Sequence, residues 1–349
     1  MDELTDHRPG RLLAVRLDND GDVLLTGPAV RVLARHAARV DVLTSPSAAA
    51  AARLLPGVHD VLTFDAPWSG YVPPRFEPET VRRTVSDLAA RRYDGAVIFT
   101  SFHQSPLPMA LLARLAQVPF VAATSVDYPG SLLDVRHHRP EGVHEVEAAL
   151  DLVRAAGFRP PDGFDERLAV RRPLPQTTAL RPTVPYVVVH PGASVPSRAP
   201  SPEHSRRIVA ELVRRGHEVV VTGGPTERDL GASVRSGDER VTDLSGRTTL
   251  AELAGVLAGA RCLVVGNTGP AHLAAAVGTP VVSLFAPVVP ALHWAPWGVP
   301  SVVLGDQEAP CAGTRARTCP VAGHPCLSSV LAAEVADAVE HLLAPAVVA

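Results

Sequence analysis

Short apolar runs alternate along the chain with longer stretches in which apolar positions recur every three or four residues. RLLAVRL (11–17) reads as a buried strand, DNDGD as a polar turn, and the stretch from about Pro28 to Ala38 as a helix. VDVLT, VLTF, a helix over about 78–92, the strand YDGAVIFT, a helix near 107–116 and FVAAT continue the alternation. EGVHEVEAALDLVRAAG reads as a helix ending at Gly157. The following RRPLPQTTALRPTVP (171–185) is proline-rich without periodicity and marks a linker. The pattern then restarts with YVVVHPG, PEHSRRIVAELVRRG, EVVVTGG, a helix opening at Pro225, VTDLSG, TLAELAGVLAGA, CLVVG, GNTGPAHLAAAVG, VVSLFAP and VVLG. Continuous apolar strands separated by amphipathic helices predict parallel sheets covered on both faces. The expected fold class is α/β, with two facing Rossmann-like, doubly wound domains and a ligand cleft between them at the strands' carboxyl ends. The expected divisions are a first domain over 1–172, a linker over 173–185 and a second domain over 186–327. A helix and tail over 328–349 are expected to pack back across the domains.

Composition narrows the function classes. A chain of 349 residues, 46% hydrophobic, suits two domains that each bury a core. With 33 basic against 36 acidic residues, the net charge of −3 gives no global attraction to nucleic acid or to an anionic membrane. A phosphate must therefore be held locally, and no nucleic-acid partner is expected. Every one of the basic residues is arginine, so arginine supplies each fixed side-chain cation. The start lacks a basic region ahead of an apolar core, and no window approaches about 18 uninterrupted apolar residues, which predicts a cytoplasmic protein. Three of the four cysteines cluster with a histidine in CAGTRARTCPVAGHPC, as Cys311, Cys319, His324 and Cys326. The wide first gap and the His-x-Cys spacing fit no common structural zinc pattern, so a structured loop with buried thiols is expected there, and no metal.

Candidate chemistry gathers at the turns. No G-x-G-x-x-G and no G-x-x-x-x-G-K-[ST] occurs, which disfavours nicotinamide or flavin chemistry and P-loop phosphotransfer. Four polar turns instead follow strands of the second half: HPGASVPSR (190–198), TGGPTE (222–227), LSGRTT (244–249) and GNTGPAH (266–272). Any one of them is explained as well by turn punctuation; four at successive strand ends point to a nucleotide site. A diphosphate needs N–H donors, a hydroxyl and a cation, for which Thr268 and Gly269, Ser194 and Arg198 are the candidates. Glu227 suits the two hydroxyls of a ribose. His272, one turn into its helix, is either a core or capping histidine or a neutralising group beside the phosphates. In the first half, Asp18 and Asp20 read as solvated turn acids, whereas Asp22, after Gly21 at a helix start, suits a rigidly held general base.

Taken together, RLDNDGDVLLTGPAVRVLA, HPGASVPSR, GNTGPAHLAAAVGTPVVSLFAPVVP and WAPWG resemble the family 9 glycosyltransferases, whose best-known members are the ADP-heptose:lipopolysaccharide heptosyltransferases. The resemblance spans residues 11–343. It implies a GT-B fold, with the nucleotide-sugar donor on the second domain, the acceptor mostly on the first, and inverting transfer without metal or cofactor. Asp22 matches the acid of the family's G-D motif, to which the general-base role belongs. Ser194 and Arg198 match its diphosphate-binding positions, Thr268, Gly269 and His272 its phosphate turn, and Glu227 and Thr248 the region holding ribose and base. Asn267 stands near the donor sugar where the family usually has Asp, and VVP follows LFAP where TDP is common. His103, Gln104 and Asp127, in SFHQSPLPMALLARLAQ and DYPGSLLD, are proposed acceptor contacts, with ordinary core or loop polar residues as the alternative. The expected partners are a nucleotide-sugar donor, ADP-heptose first, and a glycan, lipopolysaccharide-core or natural-product acceptor, with peripheral membrane association through that acceptor left open. A nucleotide-sugar 2-epimerase of the same fold and a non-catalytic nucleotide-sugar-binding protein are the rival readings.

Overall fold

The computed structural model describes residues 10–344 apart from 71, 102 and 236. The chain divides into two compact units, Met1–Arg171 and Arg172–Ala349.

The first unit runs β1 (Arg11–Arg16), α1 (Asp20–His36), β2 (Arg39–Thr44), α2 (Ala49–Leu54), β3 (Val58–Thr63), α3 (Pro78–Arg91), β4 (Gly95–Ile98), α4 (Leu107–Leu115), β5 (Phe120–Thr124), β6 (Val135–His137) and α5 (Glu145–Ala155). Its six strands form a parallel sheet in the order β3-β2-β1-β4-β5-β6. The second unit runs β7 (Tyr186–His190), α6 (Pro202–Arg214), β8 (Glu218–Val221), α7 (Arg228–Arg235), β9 (Val241–Asp243), α8 (Leu250–Gly259), β10 (Cys262–Gly266), α9 (Gly269–Val277), β11 (Val281–Leu284), α10 (Ala291–Trp294), β12 (Ser301–Leu304), α11 (Pro325–Ser328) and α12 (Ala332–Leu343). Its sheet, also parallel, has the order β12-β11-β10-β7-β8-β9. This is the α/β, doubly wound architecture expected from the alternating pattern.

In each sheet the chain starts in the middle and winds outward in both directions, so the crevice of a doubly wound fold opens beside the first strand, between β1 and β4 and between β10 and β7. Strand interiors are apolar because both faces are covered: Leu12, Leu13, Ala14 and Val15 of β1 and Val187, Val188 and Val189 of β7 are all buried. Helix starts carry the signals that side-chain chemistry demands. Ser201 accepts from the His204 amide at the head of α6, and Thr249 and Glu252 form a reciprocal capping box on α8.

The structure departs from the sequence reading at the start of one helix and at several short elements, α10 and α11 among them. Helix α1 begins at Asp20, not near Pro28, and carries that proline inside. Its acids Asp20 and Asp22 sit in the first turn, where the positive end of the helix dipole favours them. Helix α2 and strand β6, only six and three residues long, were not foreseen. Within the second unit, helix α12 lies on α6 and on β10, β11 and β12.

Candidate active site

In the first unit the site is built around a buried cation. Arg16 ends β1, and its side chain is 5% exposed. Its Nε lies 2.7 Å from Asp18, its Nη2 donates to Asp22 Oδ1 at 3.0 Å and to Ser101 Oγ at 2.8 Å, and its Nη1 lies 3.5 Å from Glu145. Burial works against the guanidinium's charge, but Asp18, Asp22 and Glu145 outweigh it and raise its proton affinity above the ordinary value. Glu145, at the head of α5, is held from its other oxygen by Arg139 at 2.6 Å. Of the three carboxylates, Asp18 and Glu145 are 9% and 3% exposed and Asp22 is 20% exposed, so Asp22 is the one that meets solvent.

The expectation that Asp18 and Asp20 are solvated does not hold. Burial pushes the Asp18 carboxyl above its ordinary range against the pull of Arg16. Asp20, in the first turn of α1, is part-buried against α2, accepting from the Ala51 amide, and burial pushes it up to about 6. Gln104, proposed as an acceptor contact, spends both ends of its amide inside this network: its Nε2 donates to Asp18 Oδ1, and its Oε1 accepts from the Ser101 amide at 3.1 Å. Arg16, Ser101, Gln104 and Asp18 thus close a ring between the ends of β1 and β4. Beside it, exposed His103 joins Leu17, Trp68, Gln104, Pro106 and Met109 in lining a pocket of about 350 Å³. Asp127 is exposed beyond β5 and accepts from Ser105 Oγ at 3.4 Å.

In the second unit the four polar turns are linked to one another. Glu227 Oε2 accepts from the Gly224 amide at 2.6 Å and lies 3.9 Å from Nε2 of buried His190, while Oε1 lies where a Cβ on Gly192 would be, 1.9 Å from that position. The turn after β8 therefore covers the turn after β7, and a Cβ on Gly192 would displace the Glu227 carboxylate. Burial lowers the basicity of His190, with Glu227 acting in the opposite sense, and its Nδ1 pairs with Thr222 Oγ1 at 2.9 Å. The Gly246 amide donates to Gly223 O at 2.8 Å, which joins the 244–249 turn to the same rim and leaves Thr248 half-buried on it. A Cβ on Gly266 would lie 2.2 Å from Arg198 O, so the glycine ending β10 admits the backbone of the short helical turn Pro196–Arg198.

Arg198 has a buried Nε with no hydrogen-bond partner, and no carboxylate pairs with it among the described residues. Exposed Ser194 precedes it. Thr268 is the N-cap of α9 and makes no side-chain cap, Gly269 opens the helix, and His272 is buried one turn in. Asn267 is occupied: its Nδ2 donates to Ala286 O at 3.2 Å and its Oδ1 accepts from the Ala286 amide at 3.1 Å.

The cysteine loop lies against this rim. All four cysteines are free thiols, and Cys311 and Cys326 are buried. Burial, with Cys311 and Cys319 nearby, pushes the Cys326 thiol up to about 12. Among the described residues no three His, Cys, Asp or Glu side chains are placed to hold a metal ion.

The sequence model of glycosyltransferase family 9 (heptosyltransferase) matches residues 81–324. The chain belongs to that family. The match takes in every second-unit site candidate from His190 to Ala286 and begins after Asp22 and Arg16. Among curated family relatives, Escherichia coli lipopolysaccharide heptosyltransferase 3 is 33% identical over 165 residues, which cover 45% of this chain and 47% of that protein. The chain thus matches about half the length of that relative. Two solved structures share the fold along nearly the whole chain. E. coli ADP-heptose lipopolysaccharide heptosyltransferase II has a TM-score of 0.72 at 19% identity, covering 95% of this chain and 98% of that one. The E. coli heptosyltransferase WaaC with ADP-2-deoxy-2-fluoro heptose has a TM-score of 0.69 at 22% identity, covering 95% and 99%.

Sequence reasoning missed Arg16 and Glu145. The available signal was an arginine inside an otherwise apolar strand, RLLAVRL. One consequence of the acid crowding concerns Asp20. Its carboxyl is raised in the folded state to about 6, so its ionisation costs stability above that pH, and the cost fades as pH falls toward the unfolded aspartate's value of about 4. Asp20→Asn, which keeps an acceptor for Ala51, is expected to raise the urea midpoint at about pH 8 and to leave it unchanged at about pH 3.5. An equal shift at both pH values would show that burial of the Asp20 charge is not the cause.

Proposed function

We propose that the protein is an inverting, metal-independent glycosyltransferase that moves heptose from ADP-heptose to a hydroxyl of a lipopolysaccharide-core type glycan. The observation that carries this reading is Arg198, a cation with a buried, unpaired Nε and no acid beside it, backed onto the glycine that leads into α9. A cation so placed, together with the amides at a helix start, suits a diphosphate. Ser194 and Thr268 add hydroxyls, His272 lies behind the turn, and Glu227, one oxygen fixed and the other over Gly192, suits a ribose diol. Thr248 lies on the adjoining turn toward the base. Asn267, with one N–H and one lone pair left after Ala286, is the residue for the donor sugar. The family's heptosyltransferase relatives and the ADP-heptose analogue in the WaaC structure support the choice of donor.

Asp22 is the general base. As the acceptor oxygen bonds to the anomeric carbon, its proton passes to Asp22. The bond from that carbon to the diphosphate breaks, and ADP leaves with the electron pair. The positive groups around the diphosphate stabilise that departing charge, which favours the oxocarbenium-like transition state. The pocket lined by Trp68, His103 and Met109 is where an acceptor sugar is expected, with Asp127 at its outer side. Among the described residues no helix is long and apolar enough to cross a membrane, which accords with a cytoplasmic enzyme reaching a lipid-borne acceptor from outside the bilayer.

Titration calorimetry against ADP, UDP, GDP and dTDP tests the donor. ADP is expected to bind best, and Arg198→Ala, Glu227→Ala and Gly192→Ala each to weaken it about tenfold or more. Preference for UDP or dTDP would overturn the donor, and binding of none would overturn the nucleotide site. For the base, Asp22→Asn is expected to lower kcat by about 10²–10⁴ while ADP affinity stays at the wild-type level. A wild-type kcat would remove Asp22 from the mechanism.

A further inference from the structure

We propose that Arg16 is a positioning residue for the transfer step, holding Asp22 Oδ1 so that Oδ2 is the oxygen presented to the acceptor hydroxyl. This inference rests on Asp22 being the base.

The geometry leaves Arg16 little freedom. Its three nitrogens face four partners: Nε meets Asp18, Nη1 meets Glu145, and Nη2 is shared by Asp22 and Ser101. Each partner is itself held. Gln104 holds Asp18, Arg139 holds Glu145, and Ser101 follows β4. A planar guanidinium fastened along three edges cannot follow one carboxylate without breaking from the others. Asp22 sits in the first turn of α1, so its backbone is fixed by the helix and its side chain by Nη2.

Charge gives the second reason. The charged groups gathered with Asp22 are Arg16 and Asp18 from β1 and its turn, and Glu145 with its partner Arg139 from α5 and the loop before it; Asp20 is directed instead to the Ala51 amide. Two other acids share the cation with Asp22, and Arg16 is in direct contact with all three. Without that cation the acids would repel one another in a site with little water to screen them. Ordinary ion-pairing in a protein core would place all the partners out of solvent; here the one carboxylate left partly exposed is Asp22. The space alongside is a pocket of about 30 Å³ lined by Arg16, Ser101, Thr124, Arg139 and Glu145, large enough for a water.

The test is a double-mutant cycle with the full-length protein, using ADP-heptose and a heptose-terminated core oligosaccharide. Arg16→Ala is expected to lower kcat by about 10²–10³ with the donor KM within about twofold, and Arg16→Lys to recover at least about a tenth of wild-type kcat, having the charge but not the fork. In an Asp22→Asn background, Arg16→Ala is expected to cost less than about threefold more, because Arg16 acts through Asp22. Methylguanidinium added to Arg16→Ala is expected to restore turnover saturably. A wild-type kcat in either Arg16 variant, or full additivity with Asp22→Asn, would overturn the proposal. If Arg16→Ala does not fold, Arg16→Lys decides alone: a kcat loss of about fivefold or more at unchanged ADP affinity supports it, and no loss overturns it. Loss of activity in Asp22→Asn but not in the Arg16 variants would refute this inference and leave the base standing. A wild-type kcat in Asp22→Asn would refute the base itself.

Discussion

A parallel sheet whose chain begins in the middle imposes a constraint on everything placed upon it. The first strand has a neighbour on each side, and the connections from those neighbours leave toward opposite faces, so the loops at its carboxyl end part and leave a crevice. In both units the chemistry occupies that position. Arg16 and the 18–22 turn leave β1, with Ser101 and Gln104 after β4 beside them. His190 and the 191–198 turn leave β7, with Gly266 and Thr268 after β10 beside them. Strand order, more than any motif, decides which residues meet.

The two crevices solve opposite electrostatic problems. The first holds an excess of acid around one buried guanidinium and leaves one of those acids, Asp22, partly exposed. The second holds a cation, Arg198, whose Nε is buried without an acid to satisfy it, beside a helix start. Arg198 is half-buried, and an anionic ligand would give its buried Nε the acceptor it lacks. Glu227 lies on the same rim and does not neutralise Arg198; its Oε2 is turned to the Gly224 amide and toward His190. The acid and the cation of this rim remain separate.

Much of this was legible in the chain. The strands were visible because both faces of a parallel sheet are covered, which writes runs such as YVVVH and CLVVG, and the polar turns were visible because glycine and proline interrupt those runs. The start of α1 was misread because proline is favoured at the first helical position, and Pro28 looked like one; burial of Val23 through Val30 against the sheet and α5 carries the helix through it. Strand β6 is too short to show a period. What no local pattern contains is the pairing of Arg16 with Glu145, or of Glu227 with the space above Gly192. Those depend on tertiary placement, and they separate a list of plausible polar residues from a site.

The cysteine loop shows how the remaining odd feature serves the same rim. Its spacing suggested thiols kept for packing, and the loop binds through backbone at two places. Gly313 and Arg315 donate to Pro287 O and Val288 O, both at 2.8 Å, while the Ser197 amide donates to Arg317 O at 2.9 Å and Ser197 Oγ to Ala316 O. One end of the loop therefore braces the segment after β11 and the other braces the turn that carries Arg198. Val288 is buried in the same apolar cluster as Cys311 and Cys326. Asn267 fastens that segment from the β10 side by pairing with both backbone groups of Ala286. An aspartate there would accept from the Ala286 amide but set a negative oxygen against its carbonyl, so the asparagine and the buried valine belong to one local solution, in which this part of the rim is held by packing and backbone bonding.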